Sequence, residues 1–295
     1  MQLTIKNLSK TYPSGVKALK DISLTISNGM FGLLGPNGAG KSTLMRTLAT
    51  LQEADTGEVL LDSINVLQDK DAVRKVLGYL PQEFGLYPKV NAEVLLNHIA
   101  TLKGITKRRD RQEVVAALLH RVNLYDVRKK NLGTYSGGMK QRFGIAQALI
   151  GHPKLIIVDE PTAGLDPTER NRFHNLLAEI GENTIVILST HIVEDVSNLC
   201  NDMAIICNGE LLIHGHPANI MEALQGKVWK KTVEKDEVSH YEEEFKVVST
   251  KMFAGKIVVR VFSDEQPDYS FQPVEADLED VYFTVISDKT SVVTL

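Results

Sequence analysis

Little in this sequence points to a cross-linked or membrane-spanning chain. Among 295 residues there are two cysteines, Cys200 and Cys207, and neither has the companions of a metal site. A disulfide framework and a cysteine-based metal centre are therefore excluded, and the usage suits a reducing compartment. No apolar run approaches the roughly 18–20 residues needed to cross a bilayer. The opening MQLTIKNLSK alternates like a strand and lacks the shape of a signal peptide. Positive charge is not in excess: 33 Lys and Arg face 37 Asp and Glu, a net charge of −4. That balance gives no bulk drive toward nucleic acid. No long-period repeat is present. The expectation is a soluble, cytoplasmic chain that can still sit peripherally on a membrane partner.

What is present is an ordinary globular composition, 43% apolar, in a length that suits a large domain with a small one. Strand patterns fall at 3–8, 18–26, 30–34, 58–61, 76–80, 155–158, 184–188 and 203–207. Helical periodicity falls at 41–51, 92–103, 109–122, 137–150, 167–180 and 193–199. Within 109–122, Val114, Val115, Leu118, Leu119 and Val122 share one face. The fold class is α/β, with a mostly helical insert at about 83–150 hung off one sheet. A boundary is expected near Gly226, giving domains of 1–225 and 226–295. Beyond it KVWKKTVEK, EEFKVVST and KIVVRVF read as strands, with a tight turn at Ala254 and Gly255 and a helix from Asp277. The helix stripe of Leu278, Val281, Tyr282 and Val285 either caps the main domain or serves self-association or regulation.

Three motifs carry chemistry. In GLLGPNGAGKSTLMRTL an apolar strand turns into a helix through Gly35, Pro36, Asn37, Gly38, Ala39 and Gly40, followed by Lys41, Ser42 and Thr43. Glycines at such a turn let successive N–H groups face one concavity, and the helix adds its positive end. This matches the phosphate-loop pattern, with Lys41 reaching the β and γ phosphates and Ser42 ligating Mg2+. In LIIVDEPTAGLD a buried strand delivers Asp159 and Glu160 at its carboxyl end, the ligand edge of an open α/β sheet. Asp159 is placed to hold Mg2+, and Glu160 to polarise a water as general base. In YSGGMKQR, Ser136 caps a helix that opens with Gly137 and Gly138, again offering donors to an anion.

In this order the motifs resemble the ATP-binding subunit of an ATP-binding-cassette (ABC) transporter, over roughly residues 3–225. The resemblance implies a phosphate-loop NTPase core with an N-terminal antiparallel β subdomain. It implies that Tyr12 stacks on adenine, that Gln82 in YLPQEFGLYP is the glutamine-loop residue, that residues 163–166, ending at Asp166, form the dimer loop, and that His191 in LSTHIVED is the switch histidine. Gln82 would accept a Mg2+ contact or hold the attacking water, and His191 would donate to the γ-phosphate. The signature departs from Leu-Ser-Gly-Gly-Gln at two positions, with Tyr135 for Leu and Met139 for Gln.

The helix from Gly137 would carry the Ser136 end far from the chain's own phosphates, so its donors are useful on a partner's nucleotide. With the resemblance, this implies an ATP sandwich of two subunits. One chain holds every motif, which favours a homodimer. A transmembrane permease subunit is the expected partner, near Phe84, Leu86 and Tyr87, unless those residues merely pack as a turn. The tail, especially ADLEDVYFTVI, resembles those of drug, antibiotic or lipid exporters. The competing expectation is a soluble cassette ATPase acting on ribosomes or DNA.

Overall fold

A computed structural model of the chain describes residues 1–82, 85, 87–162 and 164–290, with side chains through 287. Phe84 and Leu86 of the expected permease contact, and Ala163 of the dimer loop, lie outside the described residues. The chain divides into two compact units, Met1–Leu211 and Leu212–Leu295.

The first unit begins with β1 (Gln2–Thr11) and β2 (Lys17–Ser27), an antiparallel pair. Alternation buries Leu3 and Ile5 on one strand and Ile22, Leu24 and Ile26 on the other. Next come β3 (Gly29–Leu34), α1 (Lys41–Leu48), β4 (Thr56–Leu61) and β5 (Ile64–Asn65). Strands β2-β1-β4-β5 form a four-stranded antiparallel sheet. A short helix, α2 (Lys70–Val76), runs directly into β6 (Leu77–Leu80). Val76 therefore ends a helix and does not start the strand as its apolar neighbours suggest. In α2 only Val73 is buried, too little periodicity to announce a helix.

The insert follows as α3 (Ala92–Leu102), α4 (Arg108–Arg121) and α5 (Gly137–Ala148), packed on one another. Val115, Leu119 and Val122 of the expected face are buried, while Val114 and Leu118 are half-buried. The chain then returns through β7 (Leu155–Asp159), α6 (Pro167–Gly181), β8 (Ile185–Thr190), α7 (Val193–Leu199), β9 (Asp202–Cys207) and β10 (Glu210–Gly215). These build a six-stranded sheet, β10-β9-β3-β8-β7-β6, with β9, β3, β8, β7 and β6 parallel. Strands β7 and β8 are buried along their whole length, as their unbroken apolar runs require. Because β6 and β7 are hydrogen-bonded neighbours, everything between them is an insertion at one edge of the sheet.

The main core lies between the two sheets and takes in α1. Leu3 and Val59 from the antiparallel sheet, Phe31, Ile157 and Ile187 from the parallel sheet, and Met45 and Leu48 from α1 are all nearly inaccessible. Each such side chain stabilises by roughly 1.5–3 kcal/mol. The helix that follows the phosphate loop is thus clamped on both sides.

The second unit contains α8 (Pro217–Glu222), β11 (Val228–Val233), α9 (Val238–Glu244), β12 (Lys246–Phe253), β13 (Lys256–Phe262), β14 (Gln272–Pro273) and α10 (Leu278–Thr290). Its sheet runs β12-β13-β11-β14, all antiparallel. The β12–β13 hairpin turns at Ala254 (φ 49°) and Gly255 (φ 80°), as the sequence suggests. A small core joins Val233, Tyr241, Val259, Val261 and Phe271. Leu278, Val281 and Tyr282 of the expected stripe are buried. The division falls at Leu211, ahead of the expected change near Gly226, because α8 packs with α10 and Gln225 reaches the Ala276 carbonyl.

Candidate functional site

The glycine turn sits where β3 hands over to α1. Gly38 and Gly40 have φ of 80° and 108°, in the left-handed region. Gly40 is the N-cap of α1, and no side chain caps that helix, which leaves its first N–H groups for an incoming anion. A Cβ at Gly40 would stand 2.4 Å from the Ala18 carbonyl oxygen, so no larger residue fits. Lys41 is buried and curls over the loop, its ammonium donating to the carbonyls of Gly35 (2.6 Å) and Pro36 (3.1 Å). Burial pulls its pKa down from the usual lysine range, against the opposing pull of Glu160 and Asp159.

Asp159 ends β7 and is 4% exposed. Burial pushes its pKa up, the nearby Ser189 and Ser42 hydroxyls pull it back, Glu160 pushes it up again and Lys41 pulls it down. Its Oδ1 is buried without a hydrogen-bond partner. Glu160 follows in a left-handed conformation, φ 47°, which for a non-glycine residue costs about 1–3 kcal/mol. Its N–H donates to the Ser189 carbonyl at 2.8 Å, tying the bend to β8. The carboxylate receives Gln82 Nε2 at 3.1 Å and stands 3.2 Å from His191 Nδ1.

Tyr12, Asn37, Gly38, Ala39, Gly40, Lys41, Ser42, Thr43, Gln82 and Glu160 therefore meet around one cavity of about 850 Å³. The Tyr12 hydroxyl lies 3.1 Å from Thr43 Oγ1 and donates to Gln52 Oε1 at 3.0 Å. A second cavity of about 810 Å³ opens at the other ends of the strands, lined by Asn28, Lys154 and Asn183 among others. None of the motif residues reaches it.

Ser136, Gly137, Gly138 and Asp166 do not line the first cavity. Ser136 caps α5, accepting the Met139 N–H at 3.2 Å, and Asp166 caps α6, accepting that of Glu169 at 2.9 Å. Gly137 has open space around it, but a Cβ on Gly138 would stand 2.5 Å from Glu169 Oε2. The second glycine is thus required inside the chain itself, a reason the motif did not disclose. Glu169 lies 3.2 Å from Arg142, whose other donors take the Val122 and Asn123 carbonyls. Tyr135 fills a buried place edge-on to Phe143 and donates to the Val127 carbonyl, so its bulk and hydroxyl are both used. Sequence reasoning missed Gln52, Ser189, Lys20 and Asn208, which reach the site or its cavity from separate elements with no shared pattern.

With the geometry in place, the chain was compared with known proteins. The sequence pattern of the ABC transporter family matches residues 19–163. The Bacillus subtilis uncharacterized ABC transporter ATP-binding protein YxlF is 36% identical over 252 residues, covering 85% of this chain and 83% of YxlF. This chain is a member of the ABC transporter ATP-binding protein family. As an ABC ATPase subunit it also resembles the probable multidrug ABC transporter ATP-binding protein YbhF of Escherichia coli, at 36% identity over 228 residues. That alignment covers 76% of this chain but only 39% of YbhF. A solved dimer of the ATP-binding cassette MJ0796, in a post-hydrolysis state bound to ADP and Pi, matches this ABC subunit with a TM-score of 0.66 at 27% identity, covering 72% of this chain and 98% of that one. Among the described residues, no helix of the subunit is long and apolar enough to cross a membrane.

Proposed function

We propose that this ABC subunit binds and hydrolyses ATP in the cavity at the carboxyl ends of β3 and β7, and that the reaction energises a membrane-embedded exporter. The observation that carries this reading is the convergence of the phosphate loop, Gln82, Glu160 and His191 on one rim. The amides of residues 35–43 and Lys41 hold the phosphates, and Tyr12 stacks on the base. Glu160 accepts a proton as water attacks the γ-phosphorus and the bond to the bridging oxygen breaks. His191 steadies the charge on the γ-phosphate.

The residues present also fit Mg2+. The partnerless buried Oδ1 of Asp159 lies in a carboxylate flanked by Ser42, a hard oxygen set suited to a hydrated divalent ion. Ser42, Asp159 and the Gln82 carbonyl oxygen would hold it, and the ion would offset the charge of the phosphates.

Ser136 to Gly138 and Asp166 stand outside the chain's own cavity. Two identical copies related by a two-fold axis would each bring this segment to the other's ATP. The dimer reported for MJ0796 supports that arrangement. The permease contact is assigned to residues 84–87, of which Tyr87 is 66% exposed. The multidrug name of YbhF, and that of the linearmycin resistance ATP-binding protein LnrL of Bacillus subtilis, favour export. The subunit would then work peripherally on the cytoplasmic face of the membrane, without nucleic acid. Two assays test this. Glu160→Gln is expected to keep ATP binding and lose roughly 10²-fold or more in turnover. Tyr87→Ser is expected to weaken co-purification with a membrane protein and spare ATP binding. Parent-level turnover in the first, or unchanged co-purification in the second, would remove the assigned role.

A further inference from the structure

Behind the rim lies a buried polar hub that the mechanism above leaves unused. Asp195, on α7, is wholly inaccessible. Its Oδ2 accepts the Thr162 hydroxyl at 2.5 Å and the Thr190 hydroxyl at 3.4 Å. Its Oδ1 lies 3.1 Å from His174 Nε2 and 3.7 Å from Arg170 Nε, both on α6. One carboxylate thus touches the turn after Glu160, the end of β8 before His191, and the helix after Asp166. Thr162, Thr190 and His174 are themselves buried.

The hydroxyls pass this restraint on to the rim. Thr190 Oγ1 also accepts the Ile192 N–H at 3.0 Å, and the Asp195 N–H donates to the Ile192 carbonyl at 3.2 Å. These two bonds close the short loop that carries His191. Thr162 stands two residues after Glu160, whose left-handed backbone needs support from outside itself. The post is rigid: Val196 packs so tightly on β3 that a Cβ at Gly32 would come within 2.5 Å of it. Burial of a carboxylate this deep is tolerated because Arg170 and His174 face it.

We infer that Asp195 is a positioning residue for ATP hydrolysis, holding the Glu160 turn and the His191 loop in register through the hydroxyls of Thr162 and Thr190. This rests on the roles proposed above for Glu160 and His191. Neither threonine lines the nucleotide cavity, so a purely structural role would alter stability without selectively altering turnover.

The test compares kcat and KM for ATP in Thr190→Val, Thr190→Ser, Thr162→Val, Thr162→Ser and Asp195→Ala, alongside the parent and Glu160→Gln. The valine variants keep shape and lose the hydroxyl. Each is expected to lower kcat by roughly 10–100-fold, as sub-ångström misplacement does, with KM held within about twofold. The serine variants are expected to recover most of the loss. Adding Thr190→Val to Asp195→Ala should lower kcat no further, because both remove one contact. Valine variants with the parent kcat, or serine variants as impaired as valine, would overturn the inference. Should Asp195→Ala fail to fold, the threonine pairs decide the matter alone. A parent that does not hydrolyse ATP, or a fully active Glu160→Gln, would instead overturn the underlying site reading.

Discussion

Replacing Gly138 by Ala asks why the second glycine of YSGGMKQR is needed. The new Cβ would stand 2.5 Å from Glu169 Oε2 and 2.9 Å from its Cδ and Cγ. Real Cβ atoms do not approach that closely, so the Glu169 side chain must swing away. In leaving, it gives up Arg142, 3.2 Å distant, in a pair only 11% and 17% exposed. Neither charge is stranded. Arg142 keeps the carbonyls of Val122 and Asn123, and Glu169 keeps Arg172 at 2.8 Å. The loss is therefore about 1.5–3 kcal/mol, that of a hydrogen bond between charged groups, and not the larger penalty of an orphaned buried ion. For a unit of this size it corresponds to a fall of roughly 3–12 °C in Tm. The assay is thermal unfolding of Gly138→Ala, Glu169→Ala and the double variant. With the obstructing carboxylate gone, the alanine should add little, so the two losses should be strongly non-additive. If Gly138→Ala destabilises the Glu169→Ala protein as much as it does the parent, the packing argument is refuted. ATPase activity of the double variant then separates the two uses of Gly138. Activity still missing from a stable double variant places the remaining demand on the partner's nucleotide.

Three further outcomes follow from particular contacts. Tyr12→Phe keeps the ring but loses its bonds to Thr43 and Gln52, and should weaken ATP binding by about 2–10-fold in titration calorimetry; unchanged affinity would deny those bonds a role in placing the ring. Arg260 joins Asp277 and Asp280 at the start of α10, so Arg260→Met should destabilise the second unit by about 3 kcal/mol, read as faster amide exchange in β13 and α10; unchanged exchange would contradict this. Burial raises Asp280 to about 6, above the roughly 3.9 of an unfolded aspartate, so the folded unit holds that proton more tightly between those values. Its stability should therefore fall as pH rises from 4 to 6, and exchange in α10 that slows over that range would reverse the argument.

How much of this was legible depended on whether chemistry was written contiguously. The phosphate loop, the Asp159–Glu160 pair and the buried strands around them are local runs, and local rules suffice to place them on a strand end or a helix start. Gln82, Glu160 and His191 come from three strand ends, and only the resemblance put them together. The contacts that explain Gly138 and Tyr135 could not be read, because Glu169 and Val127 reach those places through the packing of separate elements. Helices α2 and α8 escaped notice for a different reason: each has seven residues or fewer and one buried side chain, so no period could emerge. Asp195 was hidden in plain sight, four residues after His191, since nothing in the string says that it turns inward to meet Thr162.

The central claim is that ATP held on the phosphate loop of one chain is sealed by the Ser136 segment of a second. Sedimentation velocity of the Glu160→Gln protein with saturating ATP and Mg2+ tests it most directly. The account predicts that the monomer becomes a dimer only when ATP is present, and that Ser136→Arg abolishes the shift without abolishing ATP binding. A Glu160→Gln protein that binds ATP yet sediments as a monomer throughout would contradict it.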